Sequence, residues 1–215
     1  VGCADETRGS TPDASGAVVG EAGRGVWGLN VRMGPGAGGG AIAGAAAQER
    51  ADIDGAIAVA DLVGARAIHV LSGRTDAPDA AETLVSSLRY ALDRTGRTIL
   101  IEPICRAAMP DYFLHDLDQA MDILARVDHP RLKLMFDCFH IETEHGDCLA
   151  RFRSVAAHVG HVQIASVPGR NEPDTGEPGY RRRLGEIRDC GYGGALGCDY
   201  RPRARHHAGR AGVRD

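Results

Sequence analysis

Short apolar runs alternate with amphipathic stretches along most of the chain after residue 25. The runs lie at 26–31, 67–71, 98–102, 132–137, 161–165 and 195–200. Most contain β-branched residues and few polar ones, and this near-continuous apolar character is typical of strands that are buried on both faces of a sheet. The pattern therefore predicts six buried strands.

Helical periodicity fills the intervals between these runs. The clearest helix follows Asp116, carries apolar residues three and four positions apart, and stops before Pro130. Further helices are predicted over about 43–63, 78–94, 147–157 and 179–190, the last of them closed by Gly191 as a C-cap. Strands and helices that alternate without hairpin signals favour right-handed βαβ units and a parallel sheet, which is an α/β fold.

The two ends of the chain lack this pattern. Residues 1–25 are rich in Gly, Ala and small polar residues, and we expect a poorly specified segment whose composition allows disorder. Residues 204–215 form a short basic stretch, which we expect to be a flexible tail. The adjacent His206 and His207 in that tail are weak evidence for metal binding. The folded domain is therefore predicted to cover 26–203.

Composition excludes several classes of function. The net charge of −4 offers no positive field for a nucleic acid, so we expect no nucleic-acid partner. No apolar run approaches the ~18 residues of a membrane span, so we expect no membrane insertion. The six cysteines include no C-x-x-C pair and several lie in apolar segments, which indicates reduced thiols and favours the cytoplasm.

Polar side chains that carry oxygen stand at or near the ends of four predicted strands. They are Glu102, Asp137, Gln163 and Asp199. The carboxyl ends of parallel strands meet at one edge, where three buried carboxylates would repel one another unless a cation compensated their charge. Oxygen donors are the ligands that Mg²⁺ and Mn²⁺ prefer. The pattern therefore predicts a divalent metal site formed by these four residues.

A simpler interpretation exists for each of these residues alone. A single acid at a strand end more often caps the next helix or faces solvent. Four such residues on consecutive strands favour the metal site. For Gln163 by itself, a structural hydrogen bond explains the residue as well as metal ligation does.

Four segments resemble hydroxypyruvate isomerase, a member of the xylose isomerase-like barrels. They are IEP at 101–103, FDCFH at 136–140, GHVQIASVPGRNEPDTGE at 160–177 and GCDYRPR at 197–203. The resemblance extends over about 26–203 and implies a TIM (β/α)8-type barrel that interconverts hydroxypyruvate and tartronate semialdehyde with a divalent metal. Because the first recognisable strand matches the family's third, we expect a barrel of about six strands that is incomplete at its N-terminal side.

The resemblance also implies roles for individual residues. Glu102 and Asp199 would be the two catalytic carboxylates and metal ligands, with Asp137 and Gln163 as further ligands. The residues expected to face the substrate are His69, His140, Arg170 and Glu172. For His69 a hydrogen-bonded strand-end histidine is an equal alternative. For Arg170 and Glu172 the alternative is a solvated ion pair in a loop.

Two departures from the family pattern leave other functions open. Asp199 replaces the family's Glu, and Cys105, Ala107 and Ala108 replace polar residues after IEP. One alternative is therefore a catalytically impaired or truncated relative that binds metal or ligand without turnover. Another is a DNA-repair endonuclease on the same barrel, which would need several zinc ions and a basic groove. Family members are often oligomeric, so a homo-oligomer is a further expectation of the resemblance.

Overall fold

The computed structural model describes residues 25–173 and 179–203. The predicted N-terminal segment up to residue 24 and the predicted tail at 204–215, with His206 and His207, lie outside the described residues. Residues 174–178, which belong to the loop motif after the fifth strand, also lie outside them. The domain boundaries proposed from the sequence therefore stay predictions.

All six predicted strands form: β4 has the predicted bounds, β5 begins two residues before its predicted run, and the other four are shorter than the runs that predicted them. They are β1 (Gly28–Asn30), β2 (Ala67–His69), β3 (Thr98–Ile101), β4 (Leu132–Asp137), β5 (Val159–Ile164) and β6 (Leu196–Cys198). Every strand pairs in parallel with the next one along the chain, in the order β1-β2-β3-β4-β5-β6. The carboxyl ends of all six strands therefore lie along one edge, as the alternation of strands and helices predicts.

Helices connect these strands at the positions that the periodicity indicates, with one addition. They are α1 (Ala46–Val63), α2 (Ala80–Arg94), α3 (Leu117–Val127), α4 (Cys138–His145), α5 (Cys148–Val155) and α6 (Tyr180–Asp189). Asp116 caps α3 by accepting a hydrogen bond from the backbone of Gln119 at 3.0 Å. Gly191 follows α6 with φ +88°. Both of these predicted helix ends are confirmed.

Helix α4 is the element that the sequence pattern missed. It begins directly after β4 with no linking turn, and its eight residues show no clear apolar stripe. Asp137 starts the helix, because its carboxylate accepts a hydrogen bond from the backbone N–H of Phe139 at 2.8 Å. The last residue of β4 thus also caps a helix, which fixes its side chain in place.

The two faces of the sheet are covered differently. Outward residues of the strands, such as Ile68, Ile99 and Phe136, pack beneath the helices in the main apolar core. The inward face carries a separate small cluster of Ala67, Leu100 and Met135, against which Trp27 packs.

Trp27 also shows that the sheet is curled. It lies just before β1, and its ring stacks on His161 of β5 with ring centroids 3.8 Å apart. A residue next to the first strand can reach the fifth only across a strongly curved sheet. The described residues therefore form an incomplete barrel of six strands, with helices on its outer side.

One buried acid lies away from the strand-end edge. Glu49 of α1 is 2% exposed, and its Oε2 accepts a hydrogen bond from the backbone N–H of Gly39 at 3.0 Å, in the glycine-rich loop after β1. Its other oxygen, Oε1, has no hydrogen-bond partner. Burial raises the pKa of Glu49 to about 7. In the folded chain this side chain is therefore mostly protonated below pH 7 and mostly ionised above it.

Replacing Glu49 with Gln is expected to stabilise the protein at pH 8 more than at pH 5. The pKa of Glu49 is higher in the folded chain, at about 7, than the ordinary 4.5. Its stabilising contribution is therefore complete below the ordinary value and is lost as pH rises through 7. Urea unfolding at both pH values should show a difference in the effect of the substitution on the order of 2 kcal/mol. The exposed Glu82, replaced with Gln, is the control, and an equal effect at both pH values would contradict the assignment.

Candidate metal and substrate site

The four strand-end residues predicted from the sequence come together at the carboxyl edge of the sheet. Glu102 directly follows β3, Asp137 ends β4, and Asp199 directly follows β6. Gln163 of β5 is the register partner of Asp137 on the neighbouring strand. Glu102, Asp137 and Gln163 are buried. Asp199 lies at the rim, with about half of its side chain exposed.

Arg170 joins the ends of β4 and β6. Its Nη2 donates a hydrogen bond to Oδ2 of Asp137 at 3.0 Å and another to Oδ2 of Asp199. Its Nε also reaches the backbone oxygen of Asp199 at 3.4 Å. The guanidinium lies over the ring of Phe139, 5.1 Å from its centroid. Arg170 is therefore part of the acid cluster, and the alternative of a solvated ion pair in a loop does not describe its surroundings.

His140 contacts the same cluster from the first turn of α4. Its Nε2 lies 3.7 Å from Oδ2 of Asp137 and 4.0 Å from Oε1 of Glu102. On the other side of the ring, the backbone N–H of Cys105 donates to Nδ1 at 3.3 Å, and the Cys105 sulfur is 3.2 Å from the same atom.

These contacts determine the tautomer of His140. A backbone N–H can only donate, so Nδ1 is the acceptor and the hydrogen of the neutral ring lies on Nε2. Burial, together with Arg170, lowers the pKa of His140 to about 3, so the ring is neutral near pH 7. In this tautomer His140 presents a hydrogen-bond donor to the acid cluster.

His69 lies on the other side of Glu102. Its Nδ1 is 3.1 Å from Oδ1 of Asn30 and 3.9 Å from Oε2 of Glu102. Burial lowers the pKa of His69 to about 3. Nε2 of this neutral ring has no hydrogen-bond partner. His69 is therefore placed beside a predicted catalytic residue, and its predicted contact with the substrate stays a prediction.

Two residues that position the histidines were missed by the sequence reasoning. Asn30 orients His69, and Cys105 orients His140. For Asn30 a signal was present, because it is a polar side chain at the end of an apolar strand, like Glu102. Cys105 acts through its backbone N–H, which every residue except proline has, so its side-chain type carried no such signal.

Glu172 is buried and contacts the segment that follows β6. Its Oε1 accepts a hydrogen bond from the backbone N–H of Arg203 at 3.0 Å, and its Oε2 lies 3.8 Å from Nε of Arg203. These contacts hold the segment that carries Asp199. The role of Glu172 in binding substrate stays a prediction.

The acid cluster carries more negative charge than Arg170 balances. Burial, followed by the charges of Asp137 and Asp199, raises the pKa of Glu102 well above its ordinary value. Burial also raises the pKa of Asp137 and of Asp199, although Arg170 lowers both. The free-energy cost of removing these carboxylates from water is therefore larger than the stabilisation that the Arg170 guanidinium provides. A further positive charge would stabilise the ionised cluster.

The residues fit a divalent cation. Oε1 of Glu102 and Oε1 of Gln163 are buried and have no hydrogen-bond partner, which is costly unless something binds them. Glu102, Asp137 and His140 each offer a ligand atom within 4.8 Å of the others. Since Nε2 of His140 carries hydrogen in the tautomer described above, the donors that remain are oxygens. An all-oxygen set suits Mg²⁺ or Mn²⁺.

Comparison with known proteins identifies the family. A family model described as xylose isomerase-like TIM barrel matches residues 10–214. The chain belongs to this family. The predicted resemblance and the predicted barrel class are therefore confirmed.

Curated relatives within the family are isomerases. The 2-oxo-tetronate isomerase of Cupriavidus necator is 38% identical over 176 residues, which cover 79% of this chain and 68% of the relative. The hydroxypyruvate isomerase of Escherichia coli is 34% identical over 167 residues, which cover 74% and 65%. The chain thus spans about two thirds of the length of these relatives. They support the prediction that it is an enzyme of the hydroxypyruvate isomerase type.

Solved structures agree with the fold. A structure named AP endonuclease, family 2, from Brucella melitensis superposes with a TM-score of 0.91 at 30% identity, covering 96% of this chain and 84% of the other. An L-ribulose 3-epimerase gives a TM-score of 0.72 at 19% identity, with 92% and 69% covered, and shares the fold alone. Within the described residues, no helix is both long enough and apolar enough to cross a bilayer.

Proposed function

We propose that this chain is a metal-dependent isomerase of a small 2-oxo acid, with the interconversion of hydroxypyruvate and tartronate semialdehyde as its reaction in the cytoplasm. The observation that carries the proposal is the meeting of Glu102, Asp137, Gln163 and Asp199 at the carboxyl ends of four consecutive strands. The curated isomerase relatives support the reaction class.

The reaction needs two proton transfers on neighbouring carbons. One carboxylate removes a proton from carbon 3 of hydroxypyruvate, beside the carbonyl, and an acid delivers a proton to carbon 2. The hydroxyl on carbon 3 loses its proton and becomes the aldehyde oxygen, while the oxygen on carbon 2 gains a proton and becomes the new hydroxyl, so no atom is gained or lost. Glu102 and Asp199 are the proposed pair. Burial, followed by the charges of Asp137 and Asp199, raises the pKa of Glu102, which favours the protonated form that an acid in this reaction needs.

The other residues of the cluster bind and orient the substrate. Glu102, Asp137, Gln163 and Asp199 would hold the divalent ion, which when bound supplies positive charge beside the substrate's carbonyl and hydroxyl oxygens. Nε2–H of His140 is available to donate a hydrogen bond to one of these oxygens. Arg170 can bind the substrate carboxylate through two parallel N–H groups.

A direct assay tests the proposal. Hydroxypyruvate is incubated with the protein and Mn²⁺ or Mg²⁺ in D₂O, and proton NMR follows tartronate semialdehyde and the deuterium that enters its carbon 2. We expect both signals with metal and neither after chelation, and 2-oxo-tetronate is tested in parallel. A metal that raises the melting temperature without either signal would indicate the impaired relative instead.

Replacing Asp199 with Glu is expected to raise the rate of isomerisation. Asp199 is one methylene shorter than the Glu of the resembled family, which withdraws its carboxylate by about 1 Å, and such a misplacement can cost about 10²-fold in rate. Steady-state kinetics of both proteins measure the effect, with the exposed Asp189 replaced with Glu as the control. An unchanged or lower rate would show that the length of the Asp199 side chain does not limit the rate of isomerisation.

A DNA-repair endonuclease is the second candidate, because the Brucella structure carries that name. Such an enzyme would need several zinc ions, whereas the described residues gather one group that could hold a metal, formed by Glu102, Asp137 and His140. We therefore expect no cleavage of DNA containing an abasic site, with or without Zn²⁺. Zinc-dependent cleavage would favour the endonuclease.

A further inference from the structure

On the basis of the function proposed above, we propose that Arg170 is a built-in counter-ion that competes with the divalent ion for Asp137 and Asp199. Binding of the ion would release the guanidinium from these carboxylates and make it available to the carboxylate of the substrate. Metal and substrate would then promote each other's binding through one side chain.

The contacts of Arg170 place it where the metal is expected. A single atom, Nη2, donates to a carboxylate oxygen of both Asp137 and Asp199. The same two carboxylates belong to the proposed ligand set. A divalent ion on them would lie beside the guanidinium, and like charges repel strongly in a site shielded from water. The ion and the guanidinium therefore compete for the same two carboxylates, although the cluster as a whole carries more negative charge than Arg170 balances.

The surroundings of Arg170 allow its side chain to move while its backbone stays. The backbone N–H of Arg170 donates to the oxygen of Ser166 at 2.8 Å, and its own oxygen accepts from Arg201 at 2.6 Å. Its φ is +51°, so these contacts hold a backbone conformation that is unusual for a non-glycine residue. The side chain is 21% exposed, which leaves a route towards the mouth of the site. Rotation about the side-chain bonds is enough to move the charge.

Glu102 and Gln163 offer the ion oxygens that Arg170 does not occupy. Their unpartnered oxygens, Oε1 in each residue, are not among the atoms that Arg170 binds. An incoming ion can therefore bind these oxygens first and then displace the guanidinium from Asp137 and Asp199. By linkage, Arg170 lowers the affinity for metal and stabilises the metal-free protein.

Calorimetric titration with Mn²⁺ tests the competition. The variants are Arg170→Met and, as the control, Arg183→Met. Arg183 carries the same charge, and its Nη1 pairs with Oε2 of Glu142 at 3.0 Å, outside the cluster. We expect Arg170→Met to bind Mn²⁺ about tenfold more tightly than the control, within the usual range of coupling between sites. Its metal-free form should melt at a lower temperature, and its gain in melting temperature on adding Mn²⁺ should be larger. Affinity equal to or weaker than that of Arg183→Met would overturn the proposal.

A measurement on the unaltered protein covers the case in which Arg170→Met does not fold. A dicarbonyl reagent modifies exposed arginines, and mass spectrometry locates the modified residue. Saturating Mn²⁺ should raise the rate of modification at Arg170 several-fold while the rate at Arg183 stays constant. An unchanged or slower rate at Arg170 would contradict release.

The outcomes also separate this proposal from the proposed function. If Arg170→Met has the expected effect on Mn²⁺ binding but the protein does not isomerise hydroxypyruvate, the competition between Arg170 and the ion is upheld and the proposed reaction is wrong. Isomerisation without any effect of Arg170→Met on Mn²⁺ affinity would uphold the reaction and overturn the competition. A protein that binds no Mn²⁺ would overturn both.

Discussion

Replacing Glu102 with Gln is expected to lower the rate of isomerisation by about 10³-fold, within the range that general acid and base groups contribute. Gln keeps the shape of the side chain but can neither accept nor deliver the proton. Folding should be preserved, because the substitution removes a buried carboxylate that Asp137 and Asp199 repel. Kinetics in the presence of Mn²⁺ and deuterium exchange at carbon 3 measure the loss.

The matched control is Glu49→Gln, which neutralises a buried glutamate outside the strand-end cluster. It lies between α1 and the glycine-rich loop after β1, away from the strand-end cluster. Its isomerisation rate should stay within a few-fold of the unaltered protein. If Glu102→Gln were equally active, Glu102 would not be a proton-transfer group.

Replacing Asp137 with Asn is expected to weaken Mn²⁺ binding by at least about 10²-fold, since even the outer partners of a metal site are worth 10–100-fold. Asn can still cap α4 through its side-chain oxygen, so the bond to the backbone of Phe139 should remain. What is lost is the negative charge for which Arg170 and the ion would compete. Calorimetric titration with Mn²⁺ measures the change.

Asp116→Asn is the control for that substitution, because Asp116 caps α3 in the same way and lies outside the cluster. Its Mn²⁺ affinity should match that of the unaltered protein. If Asp137→Asn bound Mn²⁺ as tightly as the unaltered protein, Asp137 would not be a metal ligand and would act only as the cap of α4.

The strands and the strand-end acids could be predicted from the sequence because both depend on local patterns. An apolar run such as 98–102 predicts a buried strand by itself, and the parallel order then places Glu102 and Asp137 on one edge. Helix α4 could not be found in this way. It follows β4 without a break, and its start depends on the carboxylate of Asp137, which the strand-end pattern predicts as a metal ligand.

The finer geometry of the site depends on contacts between residues that are distant in the chain. Arg170 reaches Asp137 across 33 positions, and Cys105 reaches His140 across 35. No periodicity encodes such pairs. The burial of Glu49 is similar, because it depends on how the loop at Gly39 folds over α1. The sequence therefore predicted which residues gather at the edge, whereas their mutual contacts needed the structure.

A crystal of the protein soaked in Mn²⁺, with anomalous scattering measured near the manganese edge, tests the central claim most directly. We predict one manganese peak bound by oxygens of Glu102, Asp137, Gln163 and Asp199, with the guanidinium of Arg170 moved off Asp137. No peak at this edge of the sheet, or a peak held by residues elsewhere, would contradict the claim that these four residues form a divalent metal site.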